Sequence, residues 1–281
     1  MKYNKLICIS SLVLALLLSG GACIVNSGGN GEATEAIEIM KIMPQNSQDF
    51  FMFIDMDLIE EQEDSEELAS DFNEVLSWYA DICGFETDDV DRFATGGVLV
   101  FEGDFDFDEV RAQLEESEYS QGEYNGVEIW TGTGLWEGIV VAIVSGRIIT
   151  ADTDSVEACI DVIEDGESSV YDSEDAKDVM DRLPRGMMVG YGQEATLSGA
   201  SDYEGLVSSG VALTEQSGSR VKGYTVMKFE NAEAAEDAEQ TIEDDLKASE
   251  SNFQNIEVTR DGKFVDVVME QEIEDYASDG V

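Results

Sequence analysis

The chain has 281 residues, of which 63 are Asp or Glu, 15 are Lys or Arg and none is His, so the formal net charge is −48. This charge excludes nucleic acid as a partner, because the phosphates would meet a surface of like charge. The lack of His excludes His-dependent serine and cysteine hydrolases and zinc sites built on imidazole. Hydrophobic residues make up 43% of the chain, which is enough for a folded core.

The first 22 residues have the pattern of an export signal. Two lysines form a short basic region, and the apolar run at 6–18 has the length of a signal and is too short to span a bilayer. The stretch 18–23, Leu-Ser-Gly-Gly-Ala-Cys, resembles the lipobox of bacterial lipoproteins, although Gly20 stands where that family usually has an aliphatic residue. The resemblance implies that Cys23 receives a lipid group and becomes the mature N-terminus.

The alternative is ordinary signal peptidase cleavage after Ala22, which cuts the same bond and also places the mature chain outside the cytoplasm. Residues 23–42 follow, and their Gly- and Asn-rich start predicts a flexible tether. A tether directly after a lipidated cysteine would hold a domain off the membrane. We therefore expect an extracytoplasmic protein that is anchored to the cell membrane or envelope through a lipid.

Strand and helix patterns alternate along the first half of the body, residues 43–170. Phe50–Asp55 is an apolar strand, and apolar residues at spacings of three and four predict a helix over 65–82. Asp106 with Glu109 predicts the start of a helix that ends near Glu116. The other elements predicted in this half are strands at 97–102, 127–130, 139–144 and 147–150 and a helix from 154 to 166.

The second half, residues 171–281, repeats this plan. The two prolines of the chain, Pro44 and Pro184, each precede a predicted strand. Phe101-Glu102 corresponds to Phe229-Glu230 before a helix, and 124–129 corresponds to 253–258. The pattern predicts an α+β fold with two related halves, each an antiparallel sheet with helices packed on one face.

The body also resembles an uncharacterised family of exported bacterial proteins of unknown function. The residues that carry the resemblance are Pro44, the Val-rich strand at 97–102, and Tyr124-Asn-Gly-Val-Glu-Ile129 with its second copy. These motifs are structural, so the resemblance implies a fold and a location and no chemistry.

Two cysteines lie in the body, Cys83 and Cys159, each on the apolar side of a predicted helix or near its end. Two interpretations remain open. An exported protein can join such a pair in a disulfide, or both can be free thiols that pack as small hydrophobic groups.

One acidic cluster fits a calcium loop in part. Asp104, Asp106, Asp108 and Glu115 stand at positions one, three, five and twelve of an EF-hand loop, but Glu109 occupies the sixth position, where glycine makes the sharp turn. The alternative is a strand end that runs into a helix cap, and it fits the residues better. Diffuse, weak binding of divalent cations by the acidic surface is the broader expectation.

Three tryptophans, Trp78, Trp130 and Trp136, allow a sugar-binding surface, but their positions favour packing in the core. Paired carboxylates suit glycoside hydrolysis, yet with 63 acids such pairs arise by chance.

We expect a non-catalytic binding or structural role, without a cofactor, for an acidic protein at the cell surface or in the envelope. The first alternative is an extracytoplasmic module that binds a solute or a cation. The second is a carboxylate-based polysaccharide hydrolase. The sequence identifies neither a ligand nor a protein partner.

Overall fold

The protein is described by a computed structural model, which covers residues 33–45, 50–62, 66–193, 203–217, 220–248 and 253–272. The helices in these ranges are α1 (Thr34–Met40), α2 (Met56–Glu60), α3 (Glu66–Cys83), α4 (Phe107–Glu116), α5 (Thr153–Asp165), α6 (Glu174–Met180) and α7 (Ala232–Ala248). The strands are β1 (Phe50–Asp55), β2 (Val90–Thr95), β3 (Leu99–Gly103), β4 (Tyr119–Tyr124), β5 (Val127–Gly132), β6 (Val140–Val144), β7 (Arg147–Ala151), β8 (Met188–Gln193), β9 (Leu206–Ser217), β10 (Arg220–Phe229), β11 (Phe253–Asp261) and β12 (Phe264–Glu272). The predicted α+β class is confirmed.

The chain divides into two compact units. The N-terminal unit comprises Glu35–Glu61 and Ser65–Ser173. The C-terminal unit comprises Glu174–Val281, together with the described residues 33, 34 and 62. Each unit contains antiparallel strand pairs, and each is described by itself below.

The sheet of the N-terminal unit has the strand order β1-β2-β3-β7-β6-β5-β4. The hairpin β6–β7 therefore follows β5 along the chain but lies between β3 and β5 in the sheet. Its turn is Ser145-Gly146, with both residues at positive φ, the conformation of a type I′ hairpin. In the C-terminal unit the strand order is β8-β9-β10-β12-β11.

One face of the N-terminal sheet packs against α3. Phe93, Phe101 and Ile148 are neighbours in register on β2, β3 and β7, so their side chains share this face. The α3 residues Phe72 and Tyr79 contact Phe93 and Phe101, with ring centroids 5.9 and 5.6 Å apart. An aromatic layer therefore joins the long helix to the middle of the sheet.

The opposite face of the same sheet carries Arg92, Glu102 and Arg147, which are also neighbours in register. The helix α5 lies on this side, since Tyr124 of β4 shares this face and its hydroxyl donates to Asp161 of α5 at 3.1 Å. Helices therefore cover both faces of the N-terminal sheet.

The C-terminal sheet is also covered on both faces. On one face α7 packs against β10, β11 and β12 in a core formed by Leu206, Phe229, Ala235, Ala238, Ile242, Leu246, Phe253, Val265, Val267 and Met269. On the other face Gly210 of β9 lies against Val179 of α6 and the Leu183 side chain just after it. A Cβ atom at Gly210 would come within 3 Å of both side chains, so glycine is what lets this segment approach the sheet.

The prediction that helices pack on one face is therefore wrong. The physical reason is visible in the strands: five successive residues of β1 and five of β8 are buried. Runs of buried residues without alternation are typical of strands that are covered from both sides.

The predicted tether is wrong for its second part, because α1 lies within it. Ala36, Ile37, Ile39 and Met40 of α1 are buried, at the spacing of a helical stripe. The chain after α1 is also held: the carbonyl of Met43 accepts a hydrogen bond of 2.9 Å from the amide of Val170. Residues 23–32 lie outside the described ranges.

One of the two predicted correspondences between the halves is wrong. Phe101 and Phe229 each lie near the end of a strand that leads into a helix. The segment 124–129 spans the turn between β4 and β5, however, whereas 253–258 lies within β11. The turn of the second hairpin comes later, at Gly262.

Candidate functional site

The predicted lipidation site, Cys23, and the signal segment 1–22 lie outside the described residues. Within the described ranges, no helix is long and apolar enough to cross a membrane.

The structure does not assemble the predicted calcium loop. Asp106 caps α4 instead: its Oδ1 accepts hydrogen bonds from the amides of Asp108 and Glu109, at 3.0 and 3.3 Å. Asp108 is then on the first turn of the helix, where its carboxylate binds Arg111 at 3.2 Å. Because a helix rises about 1.5 Å per residue, Glu115 stands about 10 Å further along α4 than Asp108.

Asp106 and Asp108 therefore form a helix start, and Glu115 lies in the last turn of the same helix, so the pattern does not close into a loop. No group of three or more Cys, Asp or Glu side chains arranged to hold a metal ion is found among the described residues.

The two body cysteines are both buried free thiols. Cys83 ends α3 and hydrogen-bonds to the side chain of Thr150, on the face of the sheet that carries Phe101. Cys159 lies on the opposite face in α5, where its thiol donates to the carbonyl of Ile42 at 3.1 Å. Since the sheet separates the two sulfur atoms, the structure contradicts the disulfide interpretation and favours the free-thiol alternative.

Burial also makes both thiols unreactive. It raises the pKa of Cys83 and that of Cys159 to about 12, and Arg147 offsets the rise only in part for Cys159. Because the thiolate is the nucleophilic form, neither sulfur is prepared for chemistry at neutral pH.

The tryptophans are packed to different degrees. Trp130 is buried, and its indole N–H donates to Glu128 at 2.9 Å. Trp78 and Trp136 are half-buried. Trp130 therefore belongs to the core, as the packing interpretation expects, and its polar edge is satisfied there.

Glu128 is the centre of a small polar group on β5. Besides the indole, its carboxylate accepts hydrogen bonds from Arg111 at 3.0 Å and from Gln121 at 3.2 Å. This group ties α4 to the strands β4 and β5. These donors hold the Glu128 carboxylate in one position.

A row of alternating charges crosses four strands of the N-terminal sheet. Asp55, at the end of β1, is fully buried and caps α2 by accepting from the amide of Leu58 at 3.0 Å. Its other carboxylate oxygen lies 3.5 Å from Arg92 Nε on β2. Glu102 of β3 follows, 3.9 Å from Arg92 and 2.6 Å from Arg147 on β7. We call these four residues the charge row.

In the C-terminal unit, the buried cation is Lys228 on β10. Its ammonium lies 2.5 Å from a carboxylate oxygen of Asp175 and 2.7 Å from one of Asp178, both on α6. Lys263 binds Asp178 as well, at 3.1 Å. Burial alone would lower the pKa of Lys228, but its hydrogen bonds to the two carboxylates outweigh burial and raise that pKa. The lysine is therefore protonated at neutral pH and is not a nucleophile.

Arg182, just after α6, binds the hairpin β11–β12. Its guanidinium nitrogens lie 2.7 Å from Asp261 and 3.2 Å from Asp266, and its plane lies over the ring of Phe264 at 4.0 Å. Burial raises the pKa of Asp266, and Arg182 offsets this only in part. We use the name α6 clamp for the group of charged residues that connects α6 and the residues just after it to the strands. It consists of Asp175, Asp178, Arg182, Lys228, Asp261, Lys263 and Asp266.

Both charge groups join secondary structure elements to one another. In each, the carboxylates are bound by Arg or Lys, so the arrangement supports holding rather than proton transfer. Sequence reasoning missed both groups. One signal in the sequence could have indicated them. The chain has only 15 Lys and Arg, and some of these few basic residues stand within strand-like segments.

Comparison with known proteins adds one relative of undescribed function. The chain is 24% identical to an uncharacterised protein of Methanocaldococcus jannaschii over 284 aligned positions, which cover 96% of this chain and 97% of that protein. The alignment therefore spans both units. No family model matches the chain, and no solved structure matches it. The chain is thus similar, over nearly its whole length, to an uncharacterised protein.

Proposed function

We propose that the protein is exported, anchored by a lipid on Cys23, and serves a non-catalytic binding or structural role at the cell surface or in the envelope. The observation that carries the proposal is the run at 1–23: a basic start, an apolar stretch of signal length, small residues and then a cysteine.

The position of the folded body supports the proposal. Ala33 is buried and opens the described structure just before α1, ten residues after Cys23. Ten residues span at most about 35 Å when fully extended. An anchor at Cys23 would therefore keep Ala33 and the start of α1 within that distance of the membrane surface.

The charge supports a tethered rather than an embedded arrangement. Removal of residues 1–22 removes two lysines and no acid, so the mature charge is 13 − 63 = −50. Such a body is repelled by anionic headgroups. A short connector keeps the protein attached while that repulsion is screened over about 8 Å at physiological ionic strength.

The non-catalytic part of the proposal rests on how the buried charges are paired. The charge row and the α6 clamp bind their carboxylates to Arg and Lys, and the two buried thiols have raised pKa values. These are the properties of groups that stabilise a structure.

The two units are also proposed to be related halves of a duplicated protein. Without the hairpin β6–β7, the N-terminal order is β1-β2-β3-β5-β4, which matches β8-β9-β10-β12-β11 position by position. The helix α4 follows β3, as α7 follows β10. The shared order supports a duplication in which one copy gained a hairpin.

The anchor is tested by the intact mass of protein extracted from the membranes of cells that express the full chain. We expect a chain that begins at Cys23 and carries a lipid-sized increment. The variant Cys23→Ser should lose the increment and leave the membrane fraction. Cys8→Ser is the matched control, since Cys8 lies in the segment that is removed. Full-length protein without the increment, found in the soluble fraction, would refute the proposal.

A further inference from the structure

The strand β4 forms one edge of the N-terminal sheet. It pairs with β5 on one side, and the strand order of the unit ends with it. Its four central residues, 120–123, are all exposed. An edge strand presents unpaired backbone donors and acceptors, and these can pair with another chain.

Within the described residues, this edge has little of what usually protects one. Its six residues pair with β5 in continuous register without a bulge, and Glu123 is its one charged residue. The edge strand of the C-terminal unit, β11, differs: its register shifts between Gln254 and Glu257, and Asn255 has a positive φ. Bulges and charges are the usual means of protecting an edge.

Gly122 at the middle of β4 leaves room for a second backbone. Its φ is not positive, so no turn requires glycine here. A Cβ atom at this position would meet Ile129 at 3.6 Å, which is an ordinary contact. Because Gly122 has no Cβ atom, no side chain of β4 covers the half-buried Ile129 of β5 at this point of the edge. Glycine in a strand interior is typical of places where another backbone approaches closely.

An exposed leucine lies near one end of the edge. Leu135 is 89% exposed and is the one large hydrophobic side chain with that degree of exposure in the described part of the chain. Its loop is fixed against the residue before β4, because the hydroxyl of Thr133 donates to the carbonyl of Glu118 at 2.6 Å. The edge thus combines open backbone groups with an apolar side chain at one end.

We propose that β4 pairs with β4 of a second copy of this chain, as an antiparallel edge-to-edge dimer. The two copies are related by a two-fold axis perpendicular to the sheet, so the same face of the sheet points the same way in both copies. In an antiparallel pair, residues that stand opposite one another have their side chains on the same face. A residue of β4 can therefore stand only opposite a β4 residue whose side chain lies on the same face. The two central registers place Gly122 opposite the partner's Gly122, or Gln121 opposite the partner's Gln121.

Neither register places like charges opposite one another. Glu123 then stands opposite the partner's Gln121 or the partner's Tyr119. A chain with a net charge of −48 has few surfaces that a second copy can approach, and an edge with one acid in six residues is such a surface.

The dimer is expected to be weak, because a six-residue strand pair is smaller than a standard interface. It is tested on the mature chain with Cys23→Ser, by light scattering and sedimentation between about 10 µM and 1 mM in 0.15 and 1 M NaCl, a range in which screening removes the long-range repulsion. We expect twice the mass of one chain at the high concentration and high salt, and the mass of one chain on dilution.

The deciding variant is Ser120→Lys with Gly122→Lys. The two lysines make the whole protein less negative, which by itself would weaken the repulsion between two copies and strengthen their association. Across the proposed β4–β4 contact, however, they place lysines opposite lysines of the partner, and like charges directly opposite one another destabilise a strand pair. We expect the dissociation constant to rise by about tenfold or more.

The control is Gln254→Lys with Thr259→Lys, which makes the same charge change on β11 and should leave the dimer intact. Circular dichroism establishes that each variant is folded. A wild-type protein that stays a single chain throughout, or a β4 variant that dimerises as well as the wild type, would overturn the proposal.

Discussion

Lys228 shows how a scarce basic residue holds this acidic protein together. It is 4% exposed, and its ammonium connects β10 to two aspartates of α6. We expect Lys228→Met to lower the free energy of unfolding by about 2 kcal/mol, because the side-chain volume is kept while two neighbouring carboxylates lose their shared cation. Urea denaturation of the variant and the wild type measures the difference.

The matched control is Lys222→Met on the same strand. Lys222 is half-buried and lies 5.4 Å from the ring centroid of Tyr224. Its replacement should cost no more than about 1 kcal/mol. Equal losses for the two variants would mean that the buried ion pairs of α6 do not stabilise the fold.

Asp266 allows a prediction about pH with a defined sign. Burial raises its pKa above the ordinary value of 3.8, and Arg182 offsets this only in part. The folded state therefore binds the proton more tightly than the unfolded chain does, and this residue destabilises the fold as pH rises above about 4. Asp266→Asn removes this titration. We therefore expect the difference in melting temperature, variant minus wild type, to be larger at pH 7 than at pH 3.5. A difference that does not change with pH, or a smaller one at pH 7, would contradict this account.

At the scale of elements, α1 is a part of the core that precedes the first strand. Ile39 is fully buried, whereas its neighbour Glu38 is exposed. We expect Ile39→Ala to cost about 2–4 kcal/mol in the free energy of unfolding. Glu38→Ala should stay within about 0.5 kcal/mol. If both variants unfold like the wild type in urea, α1 does not contribute to the stability of the fold.

The elements that the sequence predicts well are those with a strong apolar pattern. The periodicity of 65–82 matches α3 closely, and the Asp106 cap marks the start of α4 to within one residue. The sequence predicts β1 and β6 because their residues are almost all apolar, and it predicts β7 because a short Ser145-Gly146 turn joins its apolar residues to β6. In these segments the local apolar pattern agrees with the burial in the folded protein, so a single sequence is enough to predict the element.

The elements that the sequence does not reveal owe their structure to distant partners. β2 reads Val-Asp-Arg-Phe-Ala-Thr, and its Arg92 looks like a loop residue until Asp55 and Glu102 are placed beside it. β4 has one buried residue in six and is held by its pairing with β5. The α6 clamp depends in the same way on residues about 50 to 90 positions apart. Register decides such contacts, and register is not visible in composition or periodicity.

For the whole molecule, the excess of acids predicts that salt stabilises the fold. The chain carries 63 acidic and 15 basic residues, and the mutual repulsion of the acids is weakened as ions screen it. The buried ion pairs lose little, because salt screens such pairs much less than exposed charges. We expect the melting temperature to rise between 0.05 and 1 M NaCl. A melting temperature that is flat or falls over this range would show that the surface repulsion is not a significant destabilising term.

The hairpin β6–β7 has a consequence for the order of assembly. During synthesis β3, β4 and β5 leave the ribosome before β6 and β7, yet in the finished sheet β3 and β5 are not neighbours. The emerging chain can first pair β3 with β5, as β10 pairs with β12 in the other unit. That early contact must open to admit the hairpin. We therefore expect the N-terminal unit to complete its sheet more slowly than the C-terminal unit.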